Sequence, residues 1–174
     1  MKPKGLLLVN TGPGKGKTTA ALGVLARALG HGHKVAFIQF IKAKPTGESR
    51  FMEAYAKEHP DSLIYARIGL GFIRGEPSEE DKKKAKEGMD LAVNLSEKRD
   101  LIVLDEVNIA VEKGLIPLED FLNFLLNRPP SLSLILTGRG CLQEIIDIAD
   151  TVTEMKEIKH AYHSGIPAKR GIDF

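Results

Sequence analysis

At 174 residues the chain has the size of one domain, and a chain of that length buries roughly 70% of its unfolded surface. A hydrophobic content of 43% with 28% charged residues is that of a globular protein, and no apolar run approaches the ~20 residues that a membrane-spanning helix requires. Lysines and arginines number 25 against 23 acids, for a net charge of +2, and they are interleaved with the acids rather than gathered in a stripe, which argues against nucleic acid as a partner.

Met1-Lys2-Pro3-Lys4 leads directly into an apolar run, Gly5 to Val9, without the charged, long-apolar and small-residue sequence of a signal peptide. With a single cysteine, Cys141, an intrachain disulfide is excluded. The expectation is a cytoplasmic protein forming one domain over residues 1–174.

Gly5 to Val9 reads as a strand buried on both faces of a parallel sheet. Thr11-Gly12-Pro13-Gly14-Lys15-Gly16-Lys17-Thr18-Thr19 follows, and then a helix from Lys17 to about Leu29 with Ala20, Ala21, Val24, Leu25 and Ala28 at helical spacing. Closely spaced glycines let several backbone N–H groups converge on one anion, and the helix start adds its positive dipole end. Lys17 supplies a charge for the outer phosphates, and the Thr18 hydroxyl is placed to ligate the accompanying Mg2+. Thr11 to Thr19 is therefore the candidate ATP-binding loop, although Thr11 stands where the usual G-x-x-x-x-G-K-[ST] spacing has its first glycine.

Val35 to Ile41 is a second predicted strand, with Gln39 and Lys42 near its carboxyl end, where ligands collect in open α/β sheets. Gln39 reads equally well as a site residue or as edge polarity. A loop over Pro45–Glu48, a short helix carrying Phe51, Met52 and Tyr55, and a weaker strand from Leu63 to Ile68 come next. Gly69 to Gly75, glycine-rich with apolar side chains, reads as a tucked surface turn in preference to the flexible wall of an apolar pocket. Ser78 is an N-cap, with Glu79, Glu80 and Asp81 in the first turn of a helix reaching about Lys98.

Leu101-Ile102-Val103-Leu104-Asp105-Glu106 has the form of a central strand delivering carboxylates to its carboxyl end, opposite Thr18, as candidate metal-site residues. A helix over Pro117–Asn127, a strand over Leu132–Leu136, a loop with Arg139 as a phosphate contact, a helix over Leu142–Ala149 and a last strand over Thr151–Met155 complete the regular pattern. His160 and His163, three residues apart, read as surface histidines rather than ligands. Alternation of strands and helices implies a P-loop NTPase fold: three layers, α/β/α, with a mostly parallel central sheet of the RecA-like kind.

The loop Thr11–Ala21, Ala28-Leu29-Gly30-His31-Gly32, Gln39-Phe40-Ile41-Lys42, Leu104-Asp105-Glu106, Thr137-Gly138-Arg139-Gly140-Cys141, Ala149-Asp150-Thr151-Val152, Lys159-His160-Ala161 and Gly171-Ile172-Asp173-Phe174 together resemble the ATP:corrinoid adenosyltransferases, specifically the cob(I)yrinic acid a,c-diamide adenosyltransferase family. The resemblance covers nearly the whole chain from Gly5 on, and includes the shifted first glycine. It implies that a cobalt(I) corrinoid attacks C5′ of ATP and that triphosphate leaves, with Gly12 to Thr19 binding the leaving group. Lys17 and Thr18 are then the catalytic residues, and Mg2+ sits on Thr18 with Asp105 or Glu106.

The resemblance further implies corrinoid contacts at Phe72 and Arg74, the latter standing where many relatives have tryptophan. It also implies a flavodoxin-type reductant, a homodimer, and a role in adenosylcobalamin biosynthesis or salvage. Only four residues precede Gly5, where many relatives carry a helical extension. Two other readings of the same residues are a P-loop small-molecule kinase and a RecA-like ATPase gating a partner; both yield ADP, whereas the adenosyltransferase yields intact triphosphate.

Overall fold

The computed structural model describes residues 3–71, 73 and 75–174. Six strands, β1 (Leu7–Thr11), β2 (Val35–Gln39), β3 (Leu63–Arg67), β4 (Leu101–Asp105), β5 (Ser133–Thr137) and β6 (Thr151–Glu154), alternate with helices. These are α1 (Lys17–Gly30), α2 (Gly47–Glu58), α3 (Glu79–Leu95), α4 (Val107–Glu112), α5 (Leu118–Leu126) and α6 (Gln143–Ile148), and a 3₁₀ turn spans Ala161–Ser164. The sheet runs β3-β2-β4-β5-β1-β6, and every described pairing is parallel.

Continuous apolar runs produce this arrangement because a parallel strand is covered on both faces. All five residues of β2 and all five of β4 are buried. Alternate side chains divide between two cores. Val35, Phe37, Leu101, Val103 and Ile135 pack with Ala21 and Leu25 of α1 and Met52 of α2. Ala36, Ile38, Ile102, Leu104, Leu134 and Leu136 pack with Ala85 and Ala92 of α3, Phe121 and Leu125 of α5, and Ile145 of α6. The result is three layers, and fully buried side chains such as Phe37 and Phe121 each contribute about 1.5–3 kcal/mol.

Local signals account for most boundaries. Ser78 caps α3 in a reciprocal box: its hydroxyl accepts from the Asp81 N–H at 3.1 Å, and the Asp81 carboxylate accepts from the Ser78 N–H at 3.0 Å. Several elements differ from the sequence expectation, β1 among them, which runs Leu7–Thr11 rather than Gly5–Val9. Strand β2 ends at Gln39 rather than Ile41, because Ile41 adopts φ 62° and Lys42 N–H turns back to the Phe40 carbonyl at 2.6 Å. Helix α4 was not anticipated, since nothing between Asp105 and Val107 looks like a turn; Glu106 itself makes it, at φ 61°. Strand β6 stops at Glu154 rather than Met155, and it is an edge strand with all four residues exposed.

The same topology gathers four carboxyl ends on one side of the sheet. Register sets Gln39 beside Asp105, Leu104 beside Leu136 and Asn10 beside Thr137. The loop after β1, the acids closing β4, Thr137 and the residues after β2 therefore share one edge.

Candidate active site

Between β1 and α1 the chain turns through Gly12 at φ 95° and Gly16 at φ 109°, values that L side chains rarely adopt. The loop is braced from behind by the exit of β6: Gly14 N–H donates to the Met155 carbonyl at 2.6 Å, and Met155 N–H donates to the Thr11 carbonyl at 2.8 Å. Gly16 caps α1 without a side-chain hydrogen bond, and no acid lies in the first turn. The positive end of a 14-residue helix is thus left open toward the cavity.

Lys17 is buried, and its Nζ donates to the carbonyls of Gly12 at 2.7 Å and Gly14 at 2.5 Å. Burial first, and then the positive Arg139, hold its pKa below the usual lysine value; Glu106 opposes the shift. The ammonium is preorganised by the loop it serves.

Asp105 is wholly buried. Its Oδ1 accepts from the Thr18 hydroxyl at 2.8 Å and the Thr137 hydroxyl at 2.7 Å. Its Oδ2 accepts from Gln39 Nε2 at 2.8 Å and lies 3.5 Å from Lys42 Nζ. Thr137 Oγ1 in turn accepts from the Glu106 N–H at 2.9 Å. Both oxygens of Asp105 are thereby engaged with protein donors.

Glu106 is in the opposite condition. Its Oε2 is buried and has no hydrogen-bond partner among the described residues. Burial, and next the neighbouring Asp105, raise its pKa above the ordinary glutamate value, while Lys42, Lys17 and Arg139 pull it down. Thr18 gives its hydroxyl proton to Asp105 and so keeps lone pairs for a ligand. An unpartnered carboxylate oxygen and such a hydroxyl, on residues that line one cavity, are a donor set that fits a hard divalent cation.

These groups face a cavity of about 730 Å3, within the ~300–1,000 Å3 range of ligand sites. Pro13 to Thr19 form its floor, and Ile41, Lys42, Glu48, Glu106 and Arg139 form its sides. The rim is Glu157, His160 and Gly171 to Phe174. Lys15 is paired with Asp173 across the mouth.

A family model described as ATP:corrinoid adenosyltransferase BtuR/CobO/CobP matches residues 3–174. The chain belongs to this family. Among its relatives is a corrinoid adenosyltransferase of Pseudomonas aeruginosa, 42% identical over 175 residues, covering 98% of this chain and 84% of the relative. Corrinoid adenosyltransferase CobA of Salmonella typhimurium is 39% identical over 179 residues, covering 98% and 86%. An Escherichia coli corrinoid adenosyltransferase is 38% identical over 175 residues, with the same coverage of 98% and 86%. Among solved structures, the KaiC-like protein PH0186 of Pyrococcus horikoshii OT3 superposes with a TM-score of 0.54 at 23% identity, covering 91% of this chain and 76% of that one. That likeness establishes the RecA-like fold alone.

Within this adenosyltransferase, Pro13 to Thr19, Glu106 and Arg139 from the sequence reading meet around the one cavity, with Asp105 directly behind Thr18. Thr11 and Gly12 lie behind the loop: Thr11 Oγ1 accepts from Cys141 N–H at 3.4 Å, and the Gly12 carbonyl holds Lys17. Phe72 and Arg74 lie outside the described residues. His163 pairs with Glu157 at 2.9 Å, while His160 accepts the Tyr162 N–H at 3.1 Å.

Sequence reasoning missed the Met155 brace, Thr137 as the bridge between the two acids, and the terminal residues as cavity wall. Of these only Thr137 had a signal, a polar residue closing an apolar strand at the ligand edge.

Proposed function

We propose that this adenosyltransferase moves the 5′-deoxyadenosyl group of ATP to the cobalt(I) of a corrinoid and releases triphosphate. As the cobalt–carbon bond forms from the metal's electron pair, the C5′–O bond breaks and its pair departs with the triphosphate. The reaction then asks the protein for position and for stabilisation of a leaving anion. The observation that carries this reading beyond family membership is the convergence of the open α1 N-terminus, Lys17, Lys15 and Arg139 on a single cavity.

In this scheme Lys17 and the N–H groups of Lys15 to Thr19 take the departing oxygens, and Arg139 closes the side of the anion. Mg2+, when bound, would sit on Thr18 Oγ1 and Glu106 and offset the triphosphate charge. Asp105 would act from behind, by accepting the Thr18 proton. Apolar side chains that line the same cavity, Ile41, Ile109, Ile172 and Phe174, offer less polar surface to nucleoside or corrin ring. A homodimer, a flavodoxin-type reductant and placement in adenosylcobalamin biosynthesis or salvage accompany this reading.

The test is anaerobic incubation with Mg2+, ATP and chemically reduced cobalamin or cobinamide, followed by assay of light-sensitive adenosylcorrinoid and of phosphate species. Adenosylated corrinoid with stoichiometric triphosphate is expected, and Lys17→Ala should abolish both. ADP formed without corrinoid would move the function to a kinase or gating ATPase.

A further inference from the structure

A buried carboxylate that must serve one hydroxyl in a fixed direction needs something to stop it rotating, because the terminal torsion of aspartate is broad and roughly two-fold. In Asp105 the Oδ1 side carries the working contacts, to Thr18 and Thr137. The Oδ2 side is held by Gln39, which is fully buried and sits directly beside Asp105 in the β2–β4 register. Gln39 is itself held, since its Oε1 accepts from Tyr65 OH of β3 at 3.1 Å. A row of hydrogen bonds thus crosses three neighbouring strands, from Tyr65 through Gln39 to Asp105 and on to Thr18.

We propose that Gln39, oriented by Tyr65, is a positioning residue that fixes the Asp105 carboxylate so that Thr18 presents its lone pairs to the metal-bound triphosphate. The inference rests on the nucleotide reading above. Gln39 has a second effect through Lys42. That ammonium lies 3.5 Å from Asp105 Oδ2 and 3.8 Å from Glu48, and it lines the cavity. With the Gln39 amide satisfying Oδ2, Lys42 remains available to a ligand; without it, Lys42 is the remaining donor for a buried anion and is drawn inward.

Tyr65 does not line the cavity and is linked to Asp105 by hydrogen bonds through Gln39, which makes the idea separable from a general effect on folding. The experiment is titration of Mn2+, as a paramagnetic probe, into the full chain with ATP and no corrinoid, together with thermal melts. The variants are Gln39→Leu, Tyr65→Phe and the double variant.

Gln39→Leu should weaken Mn2+ uptake about tenfold, the usual consequence of losing a partner behind a metal ligand. Tyr65→Phe, which deletes one neutral hydrogen bond, should weaken it about threefold. The double variant should match Gln39→Leu within a factor of about two, because Tyr65 then has lost its hydrogen-bonded link to Asp105. Tyr65→Phe keeps the test decisive if Gln39→Leu does not fold. Unchanged Mn2+ titrations with lowered melting points, or effects that multiply in the double variant, would overturn the relay. A wild-type chain that takes up no Mn2+ with ATP would overturn the nucleotide reading and the relay with it.

Discussion

Gly14 and Gly23 offer one added methyl group at two positions with opposite consequences. At Gly14 φ lies outside the left-handed region, so alanine is conformationally allowed, but its Cβ would stand 2.7 Å from the Met155 carbonyl oxygen, 2.9 Å from Lys156 C and 3.0 Å from Glu157 N. All three are backbone atoms, so no side-chain rotation relieves the clash. Either the loop or the β6 exit must move, and the bonds from Gly14 N–H to Met155 and from Met155 N–H to Thr11 go with it.

Two backbone hydrogen bonds at about 1 kcal/mol each give a loss of about 2 kcal/mol. For a chain of this size that lowers the melting point by about 4–8 °C. Gly23 lies in α1 with nothing within 4 Å of its built Cβ, and alanine there gains about 0.5–1 kcal/mol of helix stability, a rise of about 1–4 °C. Circular-dichroism melts with and without Mg-ATP read both effects, and the ATP-induced rise should shrink only in Gly14→Ala. If Gly14→Ala melts with the wild type and keeps its full ATP-induced rise, the brace is not part of the nucleotide site.

Thr18→Ser keeps the hydroxyl that reaches Asp105, whereas Thr18→Ala loses it; metal-dependent ATP binding should survive the first and fall at least tenfold in the second by calorimetry. Lys17 deprotonates earlier than an ordinary lysine, so ATP affinity should decline on the alkaline side. Arg139→Gln removes one cause of that shift, and in a pH series of dissociation constants the decline should move to higher pH even though overall affinity drops. The raised pKa of Glu106 means that folding favours its protonated form relative to the unfolded chain, so its contribution to stability is present at low pH and lost as pH rises through the folded value. Glu106→Gln should therefore make metal-free protein more heat-stable at neutral pH, with the advantage fading toward the ordinary glutamate value of 4.5, and should abolish stabilisation by Mg-ATP.

The main chemistry was legible because it is carried by local patterns. A glycine loop between an apolar strand and a helix, and an apolar strand ending in acids, each declare a carboxyl edge without knowledge of the partner strand. What escaped depends on neighbours distant in sequence. Met155 is invisible beforehand because its contribution is a backbone carbonyl, which any residue supplies. Helix α4 escaped because a glutamate, not a glycine, takes the left-handed turn at position 106. Ile41 is a parallel case: a β-branched residue at φ 62° ends β2 two residues early, a strained conformation of the kind held at ligand sites. Gln39 was visible as a polar residue at an edge, but only the register of β2 against β4 says which carboxylate it holds.

Strand β5 stands between the strand that carries the glycine loop and the strand that carries the acids. The strands that carry the loop and the acids are therefore two interstrand steps apart, roughly 9–10 Å, a gauge set by main-chain ladders and spanned by the Thr18–Asp105 hydrogen bond. Substitutions around it can alter charge and filling but not width. The connections after β2 and β3 lie off to one side of this gauge, so they can lengthen, shorten or change composition without disturbing it. A scaffold of this kind leaves the connections beyond β2 free to diverge, while the spacing between the glycine loop and the acids stays the same.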